Sequence, residues 1–239
     1  EAFCRRNKLR QATSFEEILA DREIDAVLLA TPNSQHSQQV VQAAAAGKHV
    51  FCEKPPGRTV SDIVDVIEAE RQNPGLKLKY GFNHRYHESV KDAMTLIAGG
   101  SLGKVINLRG VYGKSQFISY GQHSDWRTQR AIAGGGILLD QGIHMLDLMR
   151  LFAGEFETIH SFVSNDYWGH DVEDNAYALM RTADGVVALL NSSATQWRHQ
   201  FSLDINLQRG SLLDVAPTLL ASLDCALPSW LDGAPLRFR

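Results

Sequence analysis

The sequence predicts two domains, an α/β domain with a parallel sheet followed by an α+β domain with a mainly antiparallel sheet. Up to residue 82, apolar runs that suit strands alternate with helical stretches across short loops, which is the order found in parallel sheets. Beyond that point strand-like runs follow one another across polar turns, which favours antiparallel pairing. Because 239 residues are enough for two such domains, we place the first at 1–82 and the second at 83–239.

In the first domain, local signals mark where helices and strands begin and end. Ser14, followed three residues later by Glu17, is typical of a capping box and predicts a short helix. The continuous apolar run 24–31 predicts a strand that is buried on both faces of a doubly wound sheet. The later elements are an alanine-rich helix ending at Gly47, a strand over 49–53, a helix over 61–73 and a strand over 76–83.

The second domain begins with a helical stretch that Gly99 and Gly100 end. A helix rich in Leu, Ile and Met follows the glycine run 134–136. The polar turn 182–185 joins two strand-like runs and predicts a hairpin. The strand-like runs of this domain cover residues 104–113, 157–165, 175–182, 186–197 and 201–208.

Composition argues against several classes of protein. The hydrophobic share of 44% and the charged share of 21% are those of a globular protein, and a net charge of −3 without a basic cluster argues against nucleic-acid binding. No apolar run approaches the roughly 20 residues of a membrane-spanning helix. Cys4, Cys52 and Cys225 form neither a metal-binding spacing nor a disulfide framework, which favours a reducing compartment, the cytoplasm.

We expect no metal site, although two stretches contain ligand-type side chains. His84 and His87 are three residues apart, but no further ligands accompany them at a suitable spacing. The stretch 168–174 contains His, Asp and Glu, and a substrate-side loop or a solvated turn is the better interpretation.

Polar and charged residues stand where two consecutive predicted strands end. Residues 31–33 (Thr-Pro-Asn) follow the first strand, while Glu53 and Lys54 precede two prolines that cannot continue a central strand. Because ligands of open parallel sheets bind at the carboxyl ends of the strands, both stretches should border one crevice. An ammonium such as that of Lys54 favours an alkoxide-like transition state. The alternative for residues 31–33 is a helix-entry turn, and the alternative for residues 53–55 is a solvated turn. The proline after Lys54 also allows a cis bond between Lys54 and Pro55.

A second polar constellation follows the glycine run. Asp140, His144 and Asp147 are spaced i, i+4 and i+7, so on an α-helix they share one face. This stripe lacks the Lys and Glu that are usual on solvated faces, and the glycines before it permit a close approach of the backbone. The pattern therefore predicts either a catalytic stripe or an amphipathic helix that shows a narrow polar face to water.

Six motifs together resemble one protein family in their order and spacing. They are AVLLATPNSQH, AAAAGKHVFCEKP, YGFNHRYH, GSLGKV, DWR and GGGILLDQGIHMLDLMRLFAGE. The family is that of the Gfo/Idh/MocA oxidoreductases, which includes glucose–fructose oxidoreductase and inositol dehydrogenase. The resemblance implies a Rossmann-like dinucleotide-binding domain with NAD or NADP as cofactor.

The sequence departs from the family pattern at both ends. The G-x-G-x-x-G turn and the first βαβ unit of the family do not occur, which predicts an N-terminal truncation and the loss of any targeting signal with it. The tail after Gly210 differs from the closing elements of the family, which predicts an altered or truncated ending. Both departures bear on how tightly the chain binds its cofactor.

The resemblance also implies roles for particular residues. His144 would act as general base on a substrate hydroxyl, Asp140 would hold the substrate, and Lys54 would stabilise the developing negative oxygen. Arg85 and Tyr86 would bind the substrate with these three catalytic residues. For Trp126 beside Arg127, surface packing by a cation–π contact is the alternative. The residues implied to bind the cofactor are Ala30, Thr31, Pro32, Asn33, His36, Glu53, Lys54, Asn83, Trp126 and Arg127.

The predicted function is that of an NAD(P)-dependent oxidoreductase. It would move a hydride between a nicotinamide and a hydroxyl or carbonyl carbon of a small polyhydroxylated substrate, such as a sugar, an inositol or a sugar derivative. The alternatives are an NAD-dependent glycosidase of the same family, distinguished by the absence of net cofactor reduction, a cofactor-sensing regulator, or a catalytically incomplete fragment. We expect a homo-oligomer, either a dimer or a tetramer, that forms through the sheet of the second domain.

Overall fold

The structure is a computed structural model in which residues 2–115 and 125–213 are described. The chain divides into two compact units, Glu1–Gly81 and Phe82–Arg239. Cys225 and most of the tail after Gly210, for which the sequence predicts an altered ending, lie outside the described residues. Among the helices of the described part, none combines the length and the apolarity that crossing a bilayer requires.

The first unit is built on a parallel sheet with helices in the connections. Its strands are β1 (Ala26–Leu29), β2 (His49–Cys52) and β3 (Leu78–Tyr80), and its helices are α1 (Ala2–Asn7), α2 (Phe15–Ala20), α3 (Asn33–Ala45) and α4 (Val60–Gln72). The strands lie in the order β1-β2-β3 and all pair in parallel. The helix predicted after Ser14 is α2, since the Ser14 hydroxyl accepts a hydrogen bond from the backbone N–H of Glu17 at 3.2 Å.

Helices cover one face of this sheet. Alternate residues of β1 and β2 pack with α3 and α4 in a single buried cluster. On the opposite face Leu28 and Phe51 are neighbours in the strand register and are 70% and 39% exposed. The prediction that the run 24–31 is buried on both faces is therefore wrong for the described part of the chain, because α3 and α4 pack on the same face.

The second unit combines a larger sheet with short helices. Its strands are β4 (Val105–Gly113), β5 (Phe156–Ser164), β6 (Asn175–Thr182), β7 (Val187–Ser193), β8 (Gln200–Leu207) and β9 (Gly210–Leu212), and its helices are α5 (Glu88–Ala98), α6 (Arg130–Ala133) and α7 (Ile143–Ala153). The strand order is β5-β6-β7-β4-β8-β9, and every neighbouring pair is antiparallel except β4 with β7. This confirms a mainly antiparallel sheet, and the predicted hairpin joins β6 to β7 with Gly185 at φ 87°.

The core of the second unit lies between this sheet and α7. Met145, Leu148 and Met149 of α7 are fully buried against inward-facing residues of the sheet. Gly110 of β4 allows the close approach, because a Cβ atom there would lie 2.5 Å from the Met149 Cε atom. The sheet therefore holds α7, and with it the side chains at the start of that helix, in a fixed position.

The other face of the sheet is exposed and partly apolar. The register pairs Phe162 with Tyr177 and Leu179 with Leu189, so that these side chains and that of Val187 lie on one face. Their exposed fractions range from 37% to 80%. We call these five residues the open sheet face.

Two sequence predictions in this unit need correction at the level of local geometry. Residues Leu138–Gly142 form a π-helical turn, so the α-helix predicted through Asp140 begins only at Ile143. The strand predicted over 186–197 ends at Ser193, because the Ser193 hydroxyl accepts a hydrogen bond from the Thr195 backbone N–H at 3.1 Å and turns the chain.

Candidate active site

The carboxyl edge of the first unit's sheet brings the two polar stretches together. Leu29 and Cys52 are paired in the register of β1 and β2, so residues 31–33 and 53–55 both follow at that edge. Helix α3 begins at Asn33, and its N-cap residue Pro32 supplies no side-chain hydrogen bond. Backbone N–H groups at such a helix end suit the polar or anionic parts of a ligand.

His36 ties the two polar stretches to each other. The imidazole is 1% exposed, and its Nδ1 and Nε2 atoms lie 2.8 Å from the carbonyl oxygens of Pro55 and Thr31, respectively. The family resemblance implies that His36 lines the cofactor site. In the structure its ring lies beneath the two turns, and it holds their backbones in place.

Glu53 and Lys54 occupy the end of β2. The Glu53 backbone N–H donates to the Leu29 carbonyl at 2.8 Å, and its carboxylate lies over Gly81, where a Cβ atom would be 2.9 Å from Oε2. Lys54 is half-buried, and the bond between Lys54 and Pro55 is cis, as the sequence analysis allowed. The Glu53 carboxylate can occupy this position because Gly81 has no side chain.

Cys52 is unsuited to nucleophilic chemistry. Burial, together with the nearby Glu53 carboxylate, raises the pKa of its thiol to about 12. The thiol is therefore protonated at neutral pH and behaves as a small apolar core side chain.

In the second unit, His144 is buried among aromatic rings. The imidazole is 5% exposed and lies 4.1 Å, between ring centroids, from His84 and 6.2 Å from Phe82. His84 in turn contacts Tyr112 and Phe201, which are cross-strand partners on β4 and β8. His144 is thus oriented by packing against the sheet, and the narrow solvated polar face considered as an alternative is absent at this residue.

Asp140 lies in the π-helical turn beside Arg127. The Asp140 Oδ1 atom is 3.8 Å from Arg127 Nε, and the side chains are 13% and 20% exposed. The Arg127 guanidinium also stacks over the indole of Trp126 at 4.2 Å from the ring centroid. The cation–π contact offered as the alternative is therefore present, and it holds an arginine against the carboxylate of Asp140.

Asp147, the third member of the predicted stripe, is engaged by Arg85. The Arg85 Nε and Nη2 atoms donate to the two oxygens of Asp147 at 2.6 and 2.5 Å. The carboxylate of Asp147 is 7% exposed, and its hydrogen bonds raise the pKa of Arg85. This geometry gives Asp147 a structural partner, since both of its carboxylate oxygens are occupied by Arg85. Asn83 and Tyr86, on the same 3₁₀ turn, are exposed.

Sequence reasoning missed two residues that shape the site. His84 was weighed only as a metal ligand, whereas it is the ring neighbour of His144. Glu173 accepts hydrogen bonds from the backbone N–H groups of Gly136 at 2.7 Å and Leu138 at 3.3 Å, and so fixes the entry to the π-helical turn. Within the described ranges, no group of three His, Cys, Asp or Glu side chains is placed to hold a metal ion.

The βαβαβ arrangement of the first unit defines the class of fold, a Rossmann-type nucleotide-binding unit. Two family profiles match the chain. Residues 1–82 match the oxidoreductase family with an NAD-binding Rossmann fold, and residues 90–213 match the GFO/IDH/MocA C-terminal domain. The chain therefore belongs to the GFO/IDH/MocA family of oxidoreductases.

Individual relatives are enzymes of sugar chemistry. Levoglucosan dehydrogenase of Pseudarthrobacter phenanthrenivorans is 33% identical over 161 residues, which are 67% of this chain and 41% of that enzyme. The 1,5-anhydro-D-fructose reductase of Ensifer adhaerens is 31% identical over 85% of this chain and 61% of that enzyme. A solved levoglucosan dehydrogenase in complex with NADH and levoglucosan superposes with a TM-score of 0.80 at 29% identity, over 88% of this chain and 59% of that one. The chain thus spans less than two thirds of the length of each of these relatives.

Proposed function

We propose that this protein is an NAD(P)-dependent oxidoreductase that interconverts a CH–OH group and a carbonyl of a sugar, an inositol or a sugar derivative. The observation that carries the proposal is the immobilised, buried His144 with Asp140 on the preceding turn, in a chain of the GFO/IDH/MocA family. We further propose that residues 1–82 form the cofactor domain and 83–239 the substrate domain.

The proposed roles follow from the chemistry of each side chain. In the oxidising direction an imidazole nitrogen of His144 takes the proton of the substrate hydroxyl, and in the reducing direction it returns that proton. Asp140 accepts a hydrogen bond from the substrate, and Arg127 keeps its carboxylate in place. Lys54 stabilises the negative charge that develops on the substrate oxygen. The bound nicotinamide supplies the remaining chemistry, which is to accept or return the hydride.

The residues of the first unit fit the dinucleotide. The uncapped start of α3 offers backbone N–H groups, while Thr31 and Lys54 offer polar side chains at the same edge of the sheet. We therefore propose NAD or NADP as cofactor, with Ala30, Asn33, Glu53, Asn83 and Trp126 as further contacts. For His36 we propose a positioning role beneath these residues.

Arg85 and Tyr86 are proposed to border the substrate. Tyr86 is 52% exposed and so is accessible to a ligand. Arg85 keeps N–H groups beyond the two that bind Asp147, and its side chain is 41% exposed.

The test is cofactor reduction, followed by the absorbance of the reduced nicotinamide, with NAD and NADP against inositols, sugars and sugar acids. Lys54→Ala and His144→Ala should each lower kcat/KM by a hundredfold or more, about 3 kcal/mol of transition-state stabilisation. Lys91→Ala, which removes an exposed lysine paired with Glu88, is the matched control and should retain activity. Release of sugar from a glycoside without net cofactor reduction would instead indicate the glycosidase.

We also propose that the protein is a homo-oligomer and works in the cytoplasm. The open sheet face supports the proposed oligomer, because a two-fold pair would cover its five exposed apolar side chains. The second point is supported by Cys4 and Cys52, which are both free thiols in the structure.

A further inference from the structure

The second unit contains a cavity of about 510 Å³, within the range of small-molecule sites. It lies at the edge of the sheet where β4, β5 and β7 end and β6 begins. None of the described residues that line it has a role in the proposed reaction. We call it the aromatic pocket, and its lining includes Asp166, Tyr167, Trp168, Asn175, Thr195 and Trp197.

A buried hydrogen-bond network fixes the polar wall of the aromatic pocket. Asp174 is 1% exposed, and its Oδ2 atom accepts hydrogen bonds from the backbone N–H groups of Tyr167 at 2.9 Å and Trp168 at 3.2 Å. Its Oδ1 atom accepts from the Asn175 amide at 2.8 Å. The Asn175 carbonyl oxygen in turn accepts from the Thr195 hydroxyl at 3.1 Å. The orientation of this wall is therefore set before any ligand arrives, which lowers the cost of binding.

Aromatic rings form the apolar part of the pocket. The Trp168 indole N–H donates to the Ala194 carbonyl at 2.8 Å, and its ring meets Tyr167 edge-on at 5.1 Å between centroids. Tyr167 and Trp197 are 63% and 92% exposed. An indole that is almost wholly exposed at the rim of a cavity offers an aromatic face to a ligand that enters there.

We propose that the aromatic pocket binds a neutral pyranose ring. This ring binds apart from the substrate group that undergoes oxidation in the proposed reaction. The C–H face of a pyranose packs on an aromatic ring, while its hydroxyls exchange hydrogen bonds with amide, hydroxyl and carboxylate groups. The described lining holds Asp166 and Asp174 but no Lys, Arg or His, so an anionic ligand is disfavoured. Both carboxylate oxygens of Asp174 accept hydrogen bonds from within the protein. The polar groups that face a ligand are therefore mainly neutral, such as those of Asn175 and Thr195.

The experiment is titration calorimetry with methyl β-glucopyranoside and its anionic counterpart, methyl β-glucuronoside, in the absence of cofactor. The chain should bind the neutral sugar with a Kd on the order of 1 mM, and the glucuronoside more weakly. Trp197→Ala should weaken binding about tenfold or more. Because Trp197 is 92% exposed, this change leaves the fold intact.

Two further variants separate this site from the proposed reaction. Ile67→Ala, which changes an exposed apolar residue of α4, should bind the sugar as the unmodified chain does, whereas His144→Ala removes a group of the proposed reaction and should retain the binding that Trp197→Ala loses. Binding that is lost in His144→Ala but retained in Trp197→Ala would overturn the inference while leaving the proposed function standing. Undetectable binding, or tighter binding of the glucuronoside, would also overturn it. Binding is measured without turnover, so a failure of the proposed reaction has no bearing on the result.

Discussion

Two arginine–carboxylate pairs of the second unit differ in burial and therefore in what they contribute to stability. Arg85 makes a bidentate pair with Asp147, whose side chain is 7% exposed. Arg150 pairs with Glu155 at the surface, where the side chains are 48% and 76% exposed. Removing the partner of a buried carboxylate leaves an uncompensated charge, whereas water replaces the partner of an exposed one.

Arg85→Gln should therefore lower the free energy of unfolding by about 2 kcal/mol, less than for a fully buried pair because Arg85 is itself partly exposed. Arg150→Gln, the matched control, should change it by about 0.5 kcal/mol or less. Urea denaturation at constant m-value measures both. The double change Arg85→Gln with Asp147→Asn should recover part of the loss, since it removes the buried charge. Equal effects of the two single changes would contradict this account.

At the level of elements, the entry to the π-helical turn depends on a glycine. A Cβ atom at Gly136 would lie 1.9 Å from the carbonyl oxygen of Glu173 and 2.9 Å from its backbone nitrogen. That carbonyl accepts the Ile137 N–H at 3.0 Å, so the neighbouring backbone is tied to the same place. Gly136 is thus required by the close packing of two backbones, which agrees with the close backbone approach predicted for the stretch before Asp140.

Gly136→Ala should destabilise the second unit by about 3 kcal/mol or more, because backbone atoms rather than a flexible side chain block the new methyl group. Gly99→Ala is the control. Gly99 ends α5 at φ −65°, and the atoms nearest to its added Cβ would be 3.5 Å away, an ordinary contact distance. It should change stability by about 0.5 kcal/mol or less. Thermal unfolding of both variants measures the difference. A Gly136→Ala protein as stable as Gly99→Ala would show that the backbone at Glu173 can move aside and would contradict this prediction.

At the scale of the whole molecule, the open sheet face bears on self-association. Leu179 and Leu189 are paired across β6 and β7 and are 50% and 44% exposed. A contiguous apolar surface of this kind is usually covered in the working protein. A two-fold pair would bury it against its own copy.

The double variant Leu179→Asp/Leu189→Asp should convert the proposed oligomer into monomers, because four like charges would meet across a two-fold interface. Sedimentation velocity at micromolar concentration measures the change. Val60→Asp, at an 84% exposed position in the first turn of α4, is the control and should leave the assembly unchanged. An unmodified protein that sediments as a monomer would refute the proposed interface.

Local signals in the sequence were enough to define the elements and the family. The Ser14 capping box, the turn at 182–185 and the glycines after residue 98 each specify their structure through neighbouring residues alone. Six ordered motifs gave the family, and the polar ends of β1 and β2 follow from the parallel βαβ order. These features depend on short-range geometry, which a sequence carries directly.

Only the tertiary structure decided how the polar residues are partnered. Arg85 and Asp147 are 62 residues apart in sequence, and no spacing rule relates them. The same holds for His84 beside His144, and for Glu173 at the entry to the π-helical turn. The exposure of Leu28 and Phe51 was likewise not predictable from the sequence, because an apolar run does not indicate which face of its strand a helix will cover. Such contacts are set by the packing of elements that are distant in sequence, and composition and periodicity do not encode them.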